Sequence, residues 1–371
     1  MKTVQNLYQE RINRILKAVN LEKPDRVPIV FNGEPFCGRI KDVKLSEFCF
    51  NPMYACEKAF EGFKSLRDID SVEQIGQYPP ILGSFFLSDM KLPGRELKEN
   101  DIWQIDEKGI MTVKDYDTII DKGWNYFLND CFINRLNADV YDDLKKAGEY
   151  SSKVLKMYAD AGVVHFGSSF GVQVPLDSFF PGRLINNMIK DLFRMPDKVE
   201  AAMKVAMIDI VAVLREQIRT TKPIAVFLGG ARVSSAFTSK KIFNRFVMPY
   251  LEELLQVIVD EGSLALLHFD GDWNNDFEHL RKLPKAKCVL ALDGGSDIYK
   301  AKEILGDHMC IMGDVPPGLL TLGTPDEVYN YCTKLINEIG PSGFMLAAGC
   351  VVPVNAKVEN VKAMICAATG K

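Results

Sequence analysis

The chain has 371 residues, 47% hydrophobic and 25% charged, with a formal net charge of −4. Such a balance describes an ordinary globular protein with ample core material, and it lacks the basic surplus that nucleic acid or an anionic membrane would call for. No apolar run reaches the roughly 18 residues that span a bilayer. The first ten residues carry no apolar stretch of a secretory signal, so cytoplasmic residence is the expectation.

The periodicity of apolar residues gives the elements in chain order. A helix runs from Thr3 to Val19 and ends before Lys23-Pro-Asp-Arg-Val-Pro28; a strand, Ile29-Val-Phe31, leads into Asn32-Gly-Glu34. A helix around Met53 to Leu66 is followed by a long irregular section over 78–135, of the kind that forms a lid or binding loop. From about residue 140, helices and short apolar strands alternate. Helices at 140–161, 196–220 and 240–261 precede strands at Val163–Gly167, Ile224–Leu228 and Leu264–His268. A short helix precedes Cys288–Asp293, helix 297–305 precedes Met309–Met312, helix 325–338 precedes Gly343–Ala347, and helix 358–368 closes the chain. Apolar strands separated by amphipathic helices call for a parallel sheet covered by helices. Seven or eight such units, with polar residues and glycines just past the strand ends, favour a closed (β/α)8 TIM barrel. The expected architecture is one domain over 1–371, with an N-terminal helical extension and a long irregular insertion near the barrel mouth.

Nine cysteines, odd in number and without a Cys-x-x-Cys pair, read as reduced thiols rather than a disulfide framework. Barrel chemistry sits at the C-terminal strand ends. Those ends carry Asn32 and Glu34, His165, the turn Gly229-Gly-Ala-Arg232, His268 and Asp270, Asp293, Asp314 and Cys350. His268 and Asp270 alternate along one strand and so share a face. If Cys350 lies on a neighbouring strand end, an imidazole, a carboxylate and a thiol converge, which is a zinc site with an open position. Each has a plainer reading: a hydrogen-bonded core histidine, a helix-capping aspartate, a buried thiol. Cys310 is either a fourth ligand or a core residue, and Glu34 a ligand, a general acid/base or a surface carboxylate. No Gly-x-Ser-x-Gly or phosphate-binding fingerprint is present.

The chain resembles the uroporphyrinogen decarboxylase superfamily along essentially its whole length. The resemblance rests on Arg11 to Pro28, Pro175-Leu-Asp-Ser-Phe-Phe-Pro-Gly-Arg183, Gly313-Asp-Val-Pro-Pro-Gly-Leu-Leu-Thr-Leu-Gly-Thr-Pro325, Gly343 to Pro353, and Glu359-Asn-Val361. The decarboxylases of that superfamily carry an N-terminal arginine-rich tract for substrate carboxylates. Here the corresponding stretch is Phe31-Asn-Gly-Glu-Pro-Phe-Cys37, with an acid and no arginine pair. The cobalamin-dependent methyltransferase branch uses a His-x-Cys…Cys zinc site, to which His268 and Cys350 are similar, while Asp270 replaces the middle cysteine.

A carboxylate in place of a thiolate makes the zinc shell harder and leaves more Lewis acidity, which suits an oxygen centre. The resemblance therefore implies a zinc-dependent methyltransferase. It would move methyl from a methoxylated, aromatic substrate to the cob(I)alamin of a separate corrinoid protein, with Glu34 or Asp293 handling a proton. Alternatives are transfer from a methylcorrinoid protein to a thiol or other acceptor, and a metal-free decarboxylase-like lyase. Phe85, Phe86, Trp103, Tyr116 and Trp124 suit an aromatic substrate or an ordinary core, and section 78–135 is expected at the rim. Homodimer formation is left open.

Overall fold

A computed structural model describes residues 3–136 and 139–371. Eight parallel strands form the barrel: β1 (Val30–Phe31), β2 (Ser71–Val72), β3 (Val164–His165), β4 (Ala225–Gly230), β5 (Leu264–Phe269), β6 (Cys288–Leu292), β7 (Cys310–Val315) and β8 (Phe344–Ala348). A single backbone bond, Ala225 N–H to the Phe166 carbonyl at 3.1 Å, carries the seam from β3 to β4. The extra stretch Gly171–Gln173 continues that seam against β4. Closure comes from the Ile29–Leu346 bridge and the Leu346 N–H donating to the Pro28 carbonyl at 2.9 Å.

Alternation along the strands sorts the core into two parts. Leu266, Val289, Ala291, Cys310, Met312, Met345 and Ala347 fill the barrel interior. Ala265, Leu267, Phe269, Leu290, Leu292, Ile311, Phe344 and Leu346 face the helical shell. Each fully buried Leu or Phe contributes roughly 1.5–3 kcal/mol of transfer free energy, so this two-sided burial makes strands β4 to β8 near-continuous apolar runs.

The N-terminal helix, Val4–Val19, starts at Thr3, whose side-chain oxygen accepts from the Asn6 N–H. Its Ile15, Ala18 and Val19 join the barrel-interior cluster. Arg14 fixes the helix there by donating to Asp25 at 2.5 and 2.7 Å and to the fully buried Asp70 at 2.5 Å, with Arg26 also on Asp70. This ion cluster packs that helix against β2, at the barrel end remote from the strand C-termini.

Two expectations change. The section 78–135 is not irregular throughout: it holds a hairpin (Asp89–Lys91 with Gln104–Asp106) and helices Val113–Lys122 and Trp124–Asp130. Those helices pack on the long helix Pro196–Thr221. Tyr116 and Trp124 are buried there, Tyr116 donating its hydroxyl to Asp191 at 2.9 Å. The helix expected over 240–261 is two, Lys240–Phe246 and Met248–Asp260, because Pro249 has no N–H to continue the ladder.

Candidate metal centre at the barrel mouth

Strand parity places His268 and Asp270 on the interior side of β5 and its continuation, where the register sets His268 beside Ala291, Met312 and Met345. Cys350 follows the end of β8, on a turn held by the Val352 N–H donating to the Asn32 carbonyl at 2.7 Å and the Gly349 N–H donating to Val315 at 2.9 Å. Donor atoms of His268, Asp270 and Cys350 all lie within 4.8 Å of one another. His268 Nε2 is 3.9 Å from Cys350 Sγ and 3.7 Å from Asp270 Oδ1. Among the described residues this is the one cluster of three or more such donors.

The other imidazole nitrogen explains the orientation. His268 Nδ1 is 2.9 Å from Oε1 of Glu73, a carboxylate only 4% exposed. A carboxylate there accepts the Nδ1 proton, so that when Nε2 gives up its own proton its lone pair is directed at Cys350 and Asp270. Burial alone would lower the imidazole pKa, but Glu73 and Cys350 more than offset it and hold it well above the usual range. Asp270 is shifted upward by burial, with His268 opposing and Asp293 and Glu73 adding to the rise.

The donor set fits a zinc ion. Tetrahedral zinc at bonds of about 2.0–2.3 Å separates its ligand atoms by roughly 3.3–3.6 Å. The His268–Cys350 and His268–Asp270 pairs at 3.9 and 3.7 Å need a few tenths of an ångström of contraction, and the Asp270–Cys350 pair, within 4.8 Å, needs up to about an ångström. Three protein donors leave one position open, and the Asp270 side chain is 43% exposed towards the cleft.

The remaining candidates lie elsewhere. Cys310 is not with the other three. It begins β7 rather than ending it, and register pairs it with Val289 in the layer of Leu266, one pleat below His268. That is about 6.6 Å down the strand, with Met312 above it, and burial pushes its thiol up to about 12 against the opposing Lys302. Glu34 does not line the cleft; its buried carboxylate accepts the Gln77 N–H at 2.7 Å, and burial raises it to about 7 against the Gln77, Gly76 and Cys56 hydrogen bonds. Asp293 is committed to the backbone, accepting from Gly271 at 2.9 Å and Gly295 at 2.7 Å, and so shapes the turn behind Asp270. His165 is lowered to about 4 by burial, which outweighs its bond to the Glu73 backbone. Asp314 accepts the Tyr331 hydroxyl at 2.7 Å.

A cleft of about 1760 Å³ opens above His268 and Asp270. His268 and Asp270 line it together with Asn32, Arg39, Ser168, Phe170, Phe227 and the 351–355 turn. The 78–104 part of the expected rim section contributes Tyr78, Phe85, Phe86, Ile102 and Trp103. Sequence reading missed Glu73. The available signal was an acid two positions beyond Ser71 in Asp70-Ser-Val-Glu73, sharing the inward parity of a strand end.

The family model described as "Uroporphyrinogen decarboxylase (URO-D)" matches residues 181–370, just over half of the chain. The chain is 26% identical over 133 residues to the uroporphyrinogen decarboxylase of Chlorobium phaeovibrioides, covering 34% of this chain and 37% of that one. It is 21% identical over 182 residues to that of Coxiella burnetii, covering 47% and 48%. The chain thus spans between about a third and a half of the length of these curated relatives. In fold it resembles a methyltransferase from Methanosarcina mazei, with a TM-score of 0.70 at 14% identity over 96% of this chain and 97% of the other. The family-model match over residues 181–370, on a chain with this barrel topology, makes it a member of the uroporphyrinogen decarboxylase family.

Proposed function

We propose that this chain is a zinc-dependent methyltransferase that takes the methyl group of a methoxylated small molecule and passes it to the cob(I)alamin of a separate corrinoid protein. The observation that carries the reading is the convergence of His268, Asp270 and Cys350 at the mouth of a large cleft, with Glu73 behind His268. The whole-length likeness in fold to a methyltransferase supports it.

In the net reaction the O–CH3 bond breaks with its electron pair left on oxygen. The methyl carbon would go to the reduced cobalt of the partner protein, and the oxygen would take a proton from solvent in the open cleft. A zinc ion on these residues would supply Lewis acidity to that oxygen. His268, Asp270 and Cys350 would hold it, and the carboxylate donor keeps the shell harder than one of thiolates alone. Glu73 holds the Nδ1 proton so that Nε2 stays free to coordinate. A cleft of about 1760 Å³ exceeds the roughly 300–1,000 Å³ of a typical small-molecule site, which leaves room for a substrate and a corrinoid face together.

The test is zinc analysis of the purified protein, with methyl transfer from methoxyarenes, methylamines and methylthiols to reduced cobalamin. Stoichiometric zinc and ether-dependent transfer that is lost in His268→Ala and Cys350→Ala are expected. Transfer that survives both substitutions, or protein that binds no zinc, refutes the reading. A metal-free lyase is the second reading, favoured by the decarboxylase relatives.

A further inference from the structure

Two uncharged polar side chains that line the cleft are buried, Ser168 and Asn32. Ser168 is fully engaged: its hydroxyl donates to the Phe170 carbonyl and accepts the Phe227 N–H at 3.0 Å. Asn32 is not. The residue is 5% exposed, its Oδ1 is shielded from water, and its carboxamide makes no hydrogen bond among the described residues. A carboxamide offers two donor hydrogens and an oxygen with two lone pairs, and buried polar groups in folded proteins are nearly always paired. An amide left wholly unpaired on a cleft wall points to a partner that enters the cleft.

The chain holds this amide at the mouth. Val30 belongs to the barrel-interior cluster, so Asn32, two residues on, faces the same side. The Asn32 carbonyl accepts the Val352 N–H at 2.7 Å, and the Phe31 carbonyl accepts the Glu73 N–H at 3.0 Å. A Cβ on Gly33 would meet Val352 at 2.8 Å and the Phe31 ring at 2.9 Å, so the backbone beside Asn32 is packed shut. In the ring of strands, β1 lies between β8 and β2. Glu73 stands just past β2 and Cys350 just past β8, and the His268 imidazole reaches both, at 2.9 and 3.9 Å. Asn32 thus occupies the middle strand end of the arc that His268 faces. Adjacent strands run about 4.8 Å apart, a span that a small molecule seated on the triad bridges.

On this geometry we infer that Asn32 is a specificity-determining residue, whose carboxamide pairs with a hydroxyl that the methyl donor carries beside its methylated oxygen. This deepens the methyltransferase reading and rests on it for the word donor. A hydroxyl both donates and accepts, so it pairs with the amide whichever end the side chain turns towards the cleft. A methyl group in the same place leaves the amide unpaired, and a site built to hydrogen-bond a hydroxyl discriminates against the analogue that lacks it.

The test uses the full-length protein and the variants Asn32→Leu, which keeps the volume and removes the polar atoms, and Asn32→Asp, which keeps the shape and an acceptor. Two pairs of ethers differ only by methyl in place of hydroxyl: 2-methoxyethanol with 1-methoxypropane, and 2-methoxyphenol with 2-methylanisole. Methyl transfer to reduced cobalamin is measured for all four, and calorimetric binding for the second pair. Melting temperature, zinc content and the cobalt(II) spectrum are recorded for each variant. The parent protein should prefer the hydroxyl member of each pair by about tenfold or more, the scale of one buried hydrogen bond. Asn32→Leu should bring that ratio to about one while leaving the hydroxyl-free ethers and the cobalt(II) spectrum unchanged. Asn32→Asp should keep the preference, and it carries the test alone where Asn32→Leu does not fold. Equal losses for both members of a pair, a preference that survives Asn32→Leu, or a preference lost in Asn32→Asp overturns the inference. So does a changed cobalt(II) spectrum in Asn32→Leu, which would make Asn32 a metal ligand. If the binding preference depends on Asn32 while no ether yields methylcobalamin, the subsite stands and the methyltransferase reading falls.

Discussion

Replacing Glu73 separates a zinc-binding triad from a chance meeting of three polar side chains. Oε1 of Glu73 is 2.9 Å from His268 Nδ1, and both groups are largely shielded from water. A hydrogen bond to an ionised partner contributes about 1.5–3 kcal/mol, which converts to about 10- to 150-fold in an equilibrium constant. Loss of a carboxylate behind a ligating histidine costs roughly 10- to 100-fold in metal affinity in other sites, so the two scales agree. Glu73→Leu should therefore weaken zinc binding by one to two orders of magnitude. Glu73→Gln should lose less, because its amide oxygen still accepts the Nδ1 proton. Competition with a chromophoric chelator measures both constants, and the cobalt(II) spectrum of each variant reports the ligand set directly. Zinc affinity of Glu73→Leu within about threefold of the parent protein would refute the reasoning.

Two further outcomes follow from where the other candidates lie. Cys310→Ala should leave zinc stoichiometry unchanged and cost about 1 kcal/mol of stability, the scale of a small cavity in a packed interior; elemental analysis and a melting curve check it. Glu34, held near 7 by burial, keeps its proton when folded at pH values where the unfolded chain has released it. Its contribution therefore favours the fold below about pH 4.5 and declines as pH rises towards 7, by about 3 kcal/mol at most. Glu34→Gln should flatten the fall in melting temperature between pH 5 and pH 7.5, and parallel curves for the two proteins would contradict the assignment.

The helices and the longer strands were legible because their apolar spacing is local. Helix 196–220 is observed as Pro196–Thr221 and helix 140–161 as Val140–Asp160. Ser71–Val72 escaped notice because two residues after Asp68-Ile-Asp70 make no periodic signal. His268 and Asp270 were readable from parity alone. Of the two readings of Cys310 the structure favours the core one: the residue points into the barrel, but β7 runs on to Val315, so it marks the start of the strand and not its end. Glu73 carried only the parity of an unrecognised strand as its signal, and its role had none. Its partner lies 195 residues away, and only the closed ring of strands brings the two together.

That ring is unevenly tied. Strands β4 to β8 are five or six residues long, whereas β1 to β3 have two residues each, and the β8–β1 seam rests on one bridge. The triad spans the same mouth: His268 stands on β5, Asp270 just past its end, and Cys350 just beyond β8, next to that seam. An ion bound there would act as a clasp between the well-tied arc and the loosely tied one. Opening of the seam would carry Cys350 away from His268, so occupancy and closure are thermodynamically linked. Amide exchange at Leu346 and Val352, which donate across the seam to Pro28 and Asn32, would then slow when the metal is present, while exchange within β5 and β6 would change little.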